Sequence, residues 1–377
     1  MKEIPFYIPS IDSSEKSIID EVLALKGASK MEELEDLFTE YIGCKYAVST
    51  SSWSAAMHLS MFAMELKRGD KILVSVNAFP TVAEVVRHFD AEPIFVDIDA
   101  DTYNMSPDKL KEALVKHKHK KLKGVIISHI AGQSAPMDEI YKIAKENNIR
   151  VIEDASNALG AEFNGTKIGA TGSDIATFSF SSQMMHAIGN TGMIATNDEK
   201  IYERAKLIRH HAIEAKGWDK YGNLGYIYDV VDIGIKYDTS ELEAAFSIAQ
   251  LQKADNFIKR RKEIAAIYNK ELADVKHVTI PAGSNEHIYS QYILKIDKNR
   301  DDFARELREK GIFTALHYVP LHLLSYYKQK YSLRVNDFPV ALTNFQQILS
   351  IPNYPSMSDD EVKYVCDMIK ETAKTRV

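Results

Sequence analysis

Four short runs of this chain carry apolar side chains without alternation: ILVSV (72–76), PIFVDI (93–98), KGVIISH (123–129) and VIED (151–154). A strand with one wet face alternates polar and apolar residues. A strand that does not alternate is covered on both faces. Between the runs stand stretches of helical period, among them 54–66 and 137–146. Strands of this kind taking turns with helices predict an α/β fold, with a mostly parallel sheet between layers of helix.

Cap signals place the helix starts. Asp12 with Glu15 makes a capping box, and a second helix is expected over 31–41. Pro80 suits the first residue of a helix, where its missing N–H costs nothing, and Ser106-Pro107 opens another. After Thr196 the pattern turns helical, over 199–210 and in one long stretch over 241–270. A strand at 289–296, a helix at 301–310, a strand at 313–316 and a last helix opened by Ser358 with Glu361 complete the reading. These elements divide the chain near residue 250, into a large domain over 1–250 and a small α+β domain over 251–377 on which the N-terminal segment packs.

With 377 residues and a net charge of −6, the chain does not read as a general nucleic-acid binder. The run Lys116-His117-Lys118-His119-Lys120-Lys121 reads as a solvated helix end. Two cysteines, Cys44 and Cys366, rule out a disulfide framework and a multi-Cys metal site, and suit a reducing cytoplasm. No spacing of ligands suggests a metal, and no apolar run is long enough to span a bilayer.

Open parallel sheets bind ligands beyond the carboxyl ends of their strands. Polar residues collect there at 49–54, Asn77, 129–133, 154–157 and 179–182. The hydroxyl run 49–52 reads either as phosphate-binding or as a plain helix cap. Asp154 is an acid at a buried strand end, which is costly unless it is paired. A pyridinium N–H is one such partner. A helix-capping role is the other reading.

The segments IPFYIPSI, EYIGCKYAVSTSSWSAAMHLS, FVDIDADTYNMSP, SHIAGQSAPMDEI, VIEDASNALGAEFNGTKIG, FSFSSQ, GMIATND, TSELEAAFSIAQLQKAD, ALHYVPLH and LSIPNYPSMSDDEV occur in this order over essentially the whole chain. Together they resemble the DegT-type sugar aminotransferases, which use pyridoxal 5'-phosphate or its pyridoxamine form. The resemblance implies the type I aminotransferase fold: a large domain with a mainly parallel seven-stranded sheet and a small α+β C-terminal domain. It further implies a homodimer with shared active sites, a sugar substrate and an amino-acid donor, glutamate being expected. Carried over residue by residue, it makes Asp154 the partner of the pyridine nitrogen and Asn157 a neighbour of the ring hydroxyl. Gln133 falls in the family's H-x-x-G-Q motif, and Ser179 matches a serine that helps hold the phosphate. His317, Tyr318 and His211 fall where substrate is met.

Several positions depart from the pattern. Ser52-Trp53-Ser54 replaces the phosphate loop's Ser-Gly-Thr, which narrows the pocket or moves the phosphate. Thr81 stands where an aromatic stacks on the pyridine ring, unless Phe79 serves. Near Lys236 the family commonly has an Asn that reaches the partner subunit's phosphate, and Lys236 would supply its cationic equivalent. The loop between Lys26 and Met31 is shorter than the family's substrate-contacting segment, which implies a substrate unlike the usual nucleotide-linked hexose.

The largest departure is Met184, where the family has the lysine that anchors the cofactor and moves the proton. A thioether does neither. Three explanations follow: a lysine-to-methionine version of a working transaminase, a pyridoxamine-dependent sugar dehydratase with His186 as base, or a partner subunit without catalysis.

Overall fold

The computed structural model describes residues 2–24, 27, 29–117, 120–180, 189–214, 228–284 and 286–376. The apolar runs become strands of one seven-stranded sheet: β1 (Tyr46–Thr50), β2 (Lys71–Ser75), β3 (Glu92–Val96), β4 (Leu122–Ser128), β5 (Arg150–Asp154), β6 (Ile175–Ser179) and β7 (Gly192–Thr196). Their spatial order is β1-β7-β6-β5-β4-β2-β3. Neighbours from β6 to β3 are parallel, and β7 runs antiparallel between β1 and β6.

Side chains two apart along a strand share a face, and both faces are covered as the lack of alternation requires. Ile72, Val74, Ile126, Ile152 and Ile194 pack with residues of α3 (Trp53–Ala63) and α4 (Thr81–His88). Leu73, Val125, Ile127 and Val151 meet α5 (Pro107–His117) and α6 (Met137–Asn147) on the other side. The helices α1 (Ser13–Leu23), α2 (Lys30–Ile42), α7 (Glu199–Arg209) and α8 (Glu241–Gln252) complete this part. The capping boxes of α1, at Asp12 and Glu15, and of the last helix, at Ser358 and Glu361, both form.

A second, antiparallel sheet holds β8 (Val278–Thr279), β9 (Tyr292–Ile296) and β10 (Ile348–Ile351). Around it lie α9 (Ala254–Leu272), α10 (Arg300–Glu309), α11 (Ser325–Lys330), α12 (Pro339–Gln347) and α13 (Asp359–Lys374). Ile4 belongs to this core: its N–H donates to the Gly311 carbonyl at 2.7 Å and its own carbonyl accepts from Phe313 N at 3.0 Å.

Two expectations need correction. The stretch 241–270 is not one helix but two, α8 and α9, broken at Lys253. The break turns Lys253 and Gln250 onto the buried carboxylate of Glu15. The strand expected at 313–316 is only a bridge from Ala315 to Ser350, because Phe313 bonds Ile4 instead and the segment never follows one neighbour. That bridge lands on β10, a four-residue strand the sequence patterns did not announce.

Arg209 ties α7 to the end of β1. Its Nη1 donates to Glu35 Oε1 at 2.5 Å and to the Ser49 carbonyl at 2.9 Å, while Glu35 also accepts from Ser49 N and Oγ. Arg209→Met leaves Glu35 buried without its cation, and a loss of roughly 3–5 kcal/mol is expected. Chemical denaturation measures it. Arg204→Met, which breaks a partly exposed pair with Asp232, is the control that should change little.

Candidate active site

Two adjacent carboxylates end β5 on opposite faces, and their surroundings differ. Glu153 lies on the α6 side. It accepts from Tyr141 Oη at 2.7 Å and Thr171 Oγ1 at 3.1 Å, and His129 Nε2 stands 2.9 Å away. Ala135 N donates to His129 Nδ1, so Nε2 is the nitrogen that carries hydrogen toward Glu153. Burial is the largest influence on Glu153 and pushes its carboxyl up, but His129 and the hydroxyls together hold it below its ordinary value.

Asp154 lies on the α3 side and is 2% exposed. It accepts from Ser128 Oγ at 2.7 Å and Ser156 N at 3.1 Å. No described cation pairs with it. Burial therefore prevails and holds its carboxyl above the ordinary value, with Ser156 and Ser128 offsetting only part. A carboxylate has room for about four hydrogen bonds. Asp154 is thus a buried acceptor with no ion-pair partner among the described residues, and its hydrogen bonds do not offset its burial.

Asn157 follows on the same turn. Gln291 Nε2 donates to its Oδ1 at 2.5 Å, and its own Nδ2 donates to Tyr318 Oη at 3.2 Å. Asn77, at the end of β2, accepts from Tyr318 N at 3.2 Å. Phe79 touches Tyr318 edge-on at 6.0 Å and Trp53 at 6.2 Å, and is 48% exposed, so it presents an open ring face. Thr81 does not: it is buried and its hydroxyl meets Ser54 Oγ at 3.2 Å.

The loop into α3 is a helix start. Ser52 Oγ accepts from Ala55 N as the N-cap, Ser54 is exposed, and Ser51 N donates to the Tyr237 carbonyl at 2.8 Å. The Trp53 ring is buried in the core and its Nε1–H donates to Thr177 Oγ1 on β6 at 3.1 Å. The loop also presses on β7. A Cβ at Gly192 would lie 2.3 Å from the Ser52 carbonyl oxygen and 2.6 Å from Trp53 N, so only glycine fits. Ser179, which pairs with Gly192 across the strands, is buried beside it.

Gln133 ends a tight turn whose two ends Asn104 clamps, through Ile130 N and the Gln133 carbonyl. Other expected residues lie apart from this cluster. His317, expected to face substrate, is buried against Phe6 with its Nδ1 2.8 Å from Ser350 Oγ, and the neighbouring Tyr318 is turned to Asn157. His211 stands beside His210 with left-handed backbone, and none of its contacts is with the Asp154 cluster. Lys236 is 58% exposed at its side chain and pairs with Asp238 at 2.5 Å. Met184 and His186 lie outside the described residues. Among those described, no cluster of His, Cys, Asp and Glu could hold a metal, and no helix is long and apolar enough to cross a membrane.

The fold and the strand-end cluster define an aminotransferase-like α/β protein. Spr1654 of Streptococcus pneumoniae superposes with a TM-score of 0.90 in both its PMP and PLP forms, at 24% and 23% identity. The superposition covers 99% of this chain in each case, and 100% and 99% of the other. The chain belongs to the DegT/DnrJ/EryC1/StrS aminotransferase family, whose model matches residues 11–370. It is 31% identical to the spore coat polysaccharide biosynthesis protein SpsC of Bacillus subtilis, over 98% of this chain and 97% of the relative. It is 30% identical to the GDP-perosamine synthase of Escherichia coli O157:H7, over 98% and 99%.

Ser128 and Gln291 escaped the sequence reading. Ser128 could have been found: it ends the run VIIS beside VIED, one strand over in a parallel sheet. Gln291 had no local signal, since its partner lies 134 residues away.

Because Asp154's carboxyl is raised in the fold, stability falls as the pH rises from the acid's ordinary value through its raised folded-state value, and the loss is complete above it. Ligand-free Asp154→Asn keeps the bonding geometry without the charge. It should match the parent in acid and become the more stable of the two as the pH rises to neutrality. Thermal melts from pH 4 to 8 measure this; a less stable variant at pH 7 would contradict the reading of Asp154 as an unpaired acid.

Proposed function

We propose that the chain is a sugar aminotransferase that binds pyridoxal or pyridoxamine 5'-phosphate, and that Met184 makes it hold the cofactor without a covalent bond and without completing amino transfer. The observation that carries the reading is Asp154, a buried acid with no cation paired to it among the described residues. A protonated ring nitrogen supplies that cation, so the donor set fits the group. When bound, the cofactor supplies an electron sink for the electrons of a broken C–H bond.

Each residue then has a task. Asp154, fixed by Ser128 and Ser156, keeps the proton on the ring nitrogen. Asn157 and Tyr318 meet the ring's polar edge, and Phe79 offers the stacking face in place of Thr81. The N–H groups and hydroxyls at the start of α3, Ser52 and Ser54, take the phosphate with Ser179. Trp53 sends its ring into the core, which leaves the exposed side of that loop to Ser54. Lys236, exposed on the surface, suits a role toward a second copy in a homodimer. The relatives SpsC and GDP-perosamine synthase favour a sugar as acceptor, and glutamate is the expected donor. Lysine at 184 would add the amine that anchors the cofactor and moves the proton.

Pyridoxal 5'-phosphate should bind with visible absorbance that borohydride fails to fix to the protein. Covalent fixation to the unaltered chain would refute the role given to Met184. Met184→Lys should gain amino transfer from glutamate to a keto-sugar. If it does not, while the unaltered chain dehydrates a keto-sugar and His186→Asn stops this, the protein is a dehydratase. Cofactor-free protein that binds a related subunit would make it a partner chain.

A further inference from the structure

The amide of Asn157 has one orientation, and Gln291 sets it. Gln291 and Asn157 are 4% and 3% exposed, so neither can turn to water. Gln291 gives an N–H to Asn157 Oδ1 at 2.5 Å, which leaves Asn157 only its Nδ2 to offer Tyr318, whose oxygen lies 3.2 Å away. That oxygen accepts, and its own proton remains to be given elsewhere. Gln291 is held for this task. It immediately precedes β9, and the preceding residues are held from both sides: Ile288 N donates to the carbonyl of Gly132, in the turn after β4 of the large sheet, at 3.1 Å, and Asn353 Nδ2, just past β10, holds the Tyr289 carbonyl at 2.8 Å. Gly132, at φ +81°, has no room for a side chain. A Cβ there would lie 2.4 Å from Ile288 Cγ1 and 3.0 Å from Ser290 Oγ.

We infer that Gln291 is a positioning residue: through Asn157 it fixes the direction of a hydrogen-bond relay, so that Tyr318 presents its hydroxyl proton to an acceptor on the bound ligand. The inference rests on the cofactor reading for the identity of that acceptor, an oxygen on the cofactor ring. The relay itself rests on the three side chains. Burial holds the Tyr318 phenol above its ordinary value and Asp154's charge adds to this, so the proton stays on the oxygen through neutral pH. Reversal of the first bond reverses the relay. A carboxylate at 291 cannot donate; Asn157 must turn its amide around, and Tyr318 then spends its proton on Asn157.

The test is a double-mutant cycle on binding, with Gln291→Glu, Tyr318→Phe and the pair of them, and pyridoxal 5'-phosphate as the probe. Each single change is expected to weaken binding about tenfold, and the double no further than either alone, because both remove the same donated proton. A hundredfold loss in the double, the product of independent effects, would overturn the relay while leaving the cofactor reading intact. The second readout needs no ligand. The side-chain amide of Asn157, followed by NMR or in high-resolution crystals, should be reversed in Gln291→Glu. An unreversed amide overturns the relay. A parent protein that binds neither pyridoxal nor pyridoxamine phosphate refutes the cofactor reading, and the relay is then decided by the amide alone.

Discussion

A strand places neighbouring side chains on opposite faces, and at the end of β5 this rule separates two carboxylates by function. Burying two adjacent acids in the centre of a sheet would be prohibitive if both lacked partners. The chain resolves it by completing one. Glu153 receives His129, Tyr141 and Thr171, and becomes a brace joining β4, β5 and α6. Asp154 receives donors from Ser128 and Ser156 and no ion-pair partner among the described residues, and its burial still prevails. The two acids also share a backbone: His129 N donates to the Asp154 carbonyl at 3.1 Å, so the brace on one face holds the acid on the other in place.

The remainder of the site depends on bringing distant segments to that strand end. Gln291 immediately precedes the central strand of the small sheet, Tyr318 follows the bridge from Ala315 to β10, and both reach Asn157. Asn77 and the Val76 carbonyl at the end of β2 hold Tyr318 N and Leu321 N, so the segment carrying the phenol is fastened to the large sheet. The N-terminal segment closes the arrangement from behind, with Ile4 laced to Gly311 and Phe313, and Phe6 stacked on His317. Each link is a hydrogen bond or packed ring between parts far apart in sequence, so the geometry at Asn157 depends on the two sheets being docked.

This distinction explains what the sequence disclosed. Strand and helix order follow from apolar patterning and caps, which are local, and the sheet appears with boundaries within a residue or two. Asp154 stood out because a charge after VIE is anomalous at once. Long pairings have no such mark. Lys253 breaks a helix for the sake of Glu15, 238 residues away, and nothing in the local pattern forecasts it. The different surroundings of His317 and Tyr318 also required the fold. The two are adjacent and equally polar in a list, but one turns to Ser350 and the other to Asn157. Trp53 is a related case: read as an obstruction in a loop, it sends its ring under the loop, where Thr177 accepts its N–H.

Affinity for a cofactor and turnover with it draw on different groups. In the proposed site, charge pairing at Asp154, an aromatic face at Phe79 and N–H groups at the start of α3 would all act on a bound molecule whether or not it is covalently held. The amine that a lysine at 184 would bring adds little to those contacts, yet it is the group that would accept and return a proton during transfer. The chain keeps the first set nearly whole. Where it departs, at Trp53 and Thr81, the new side chains are turned into the core or onto Ser54. Under the proposed reading, loss of turnover would not entail loss of the site, because a buried acid with no cation among the described residues still calls for a positive partner.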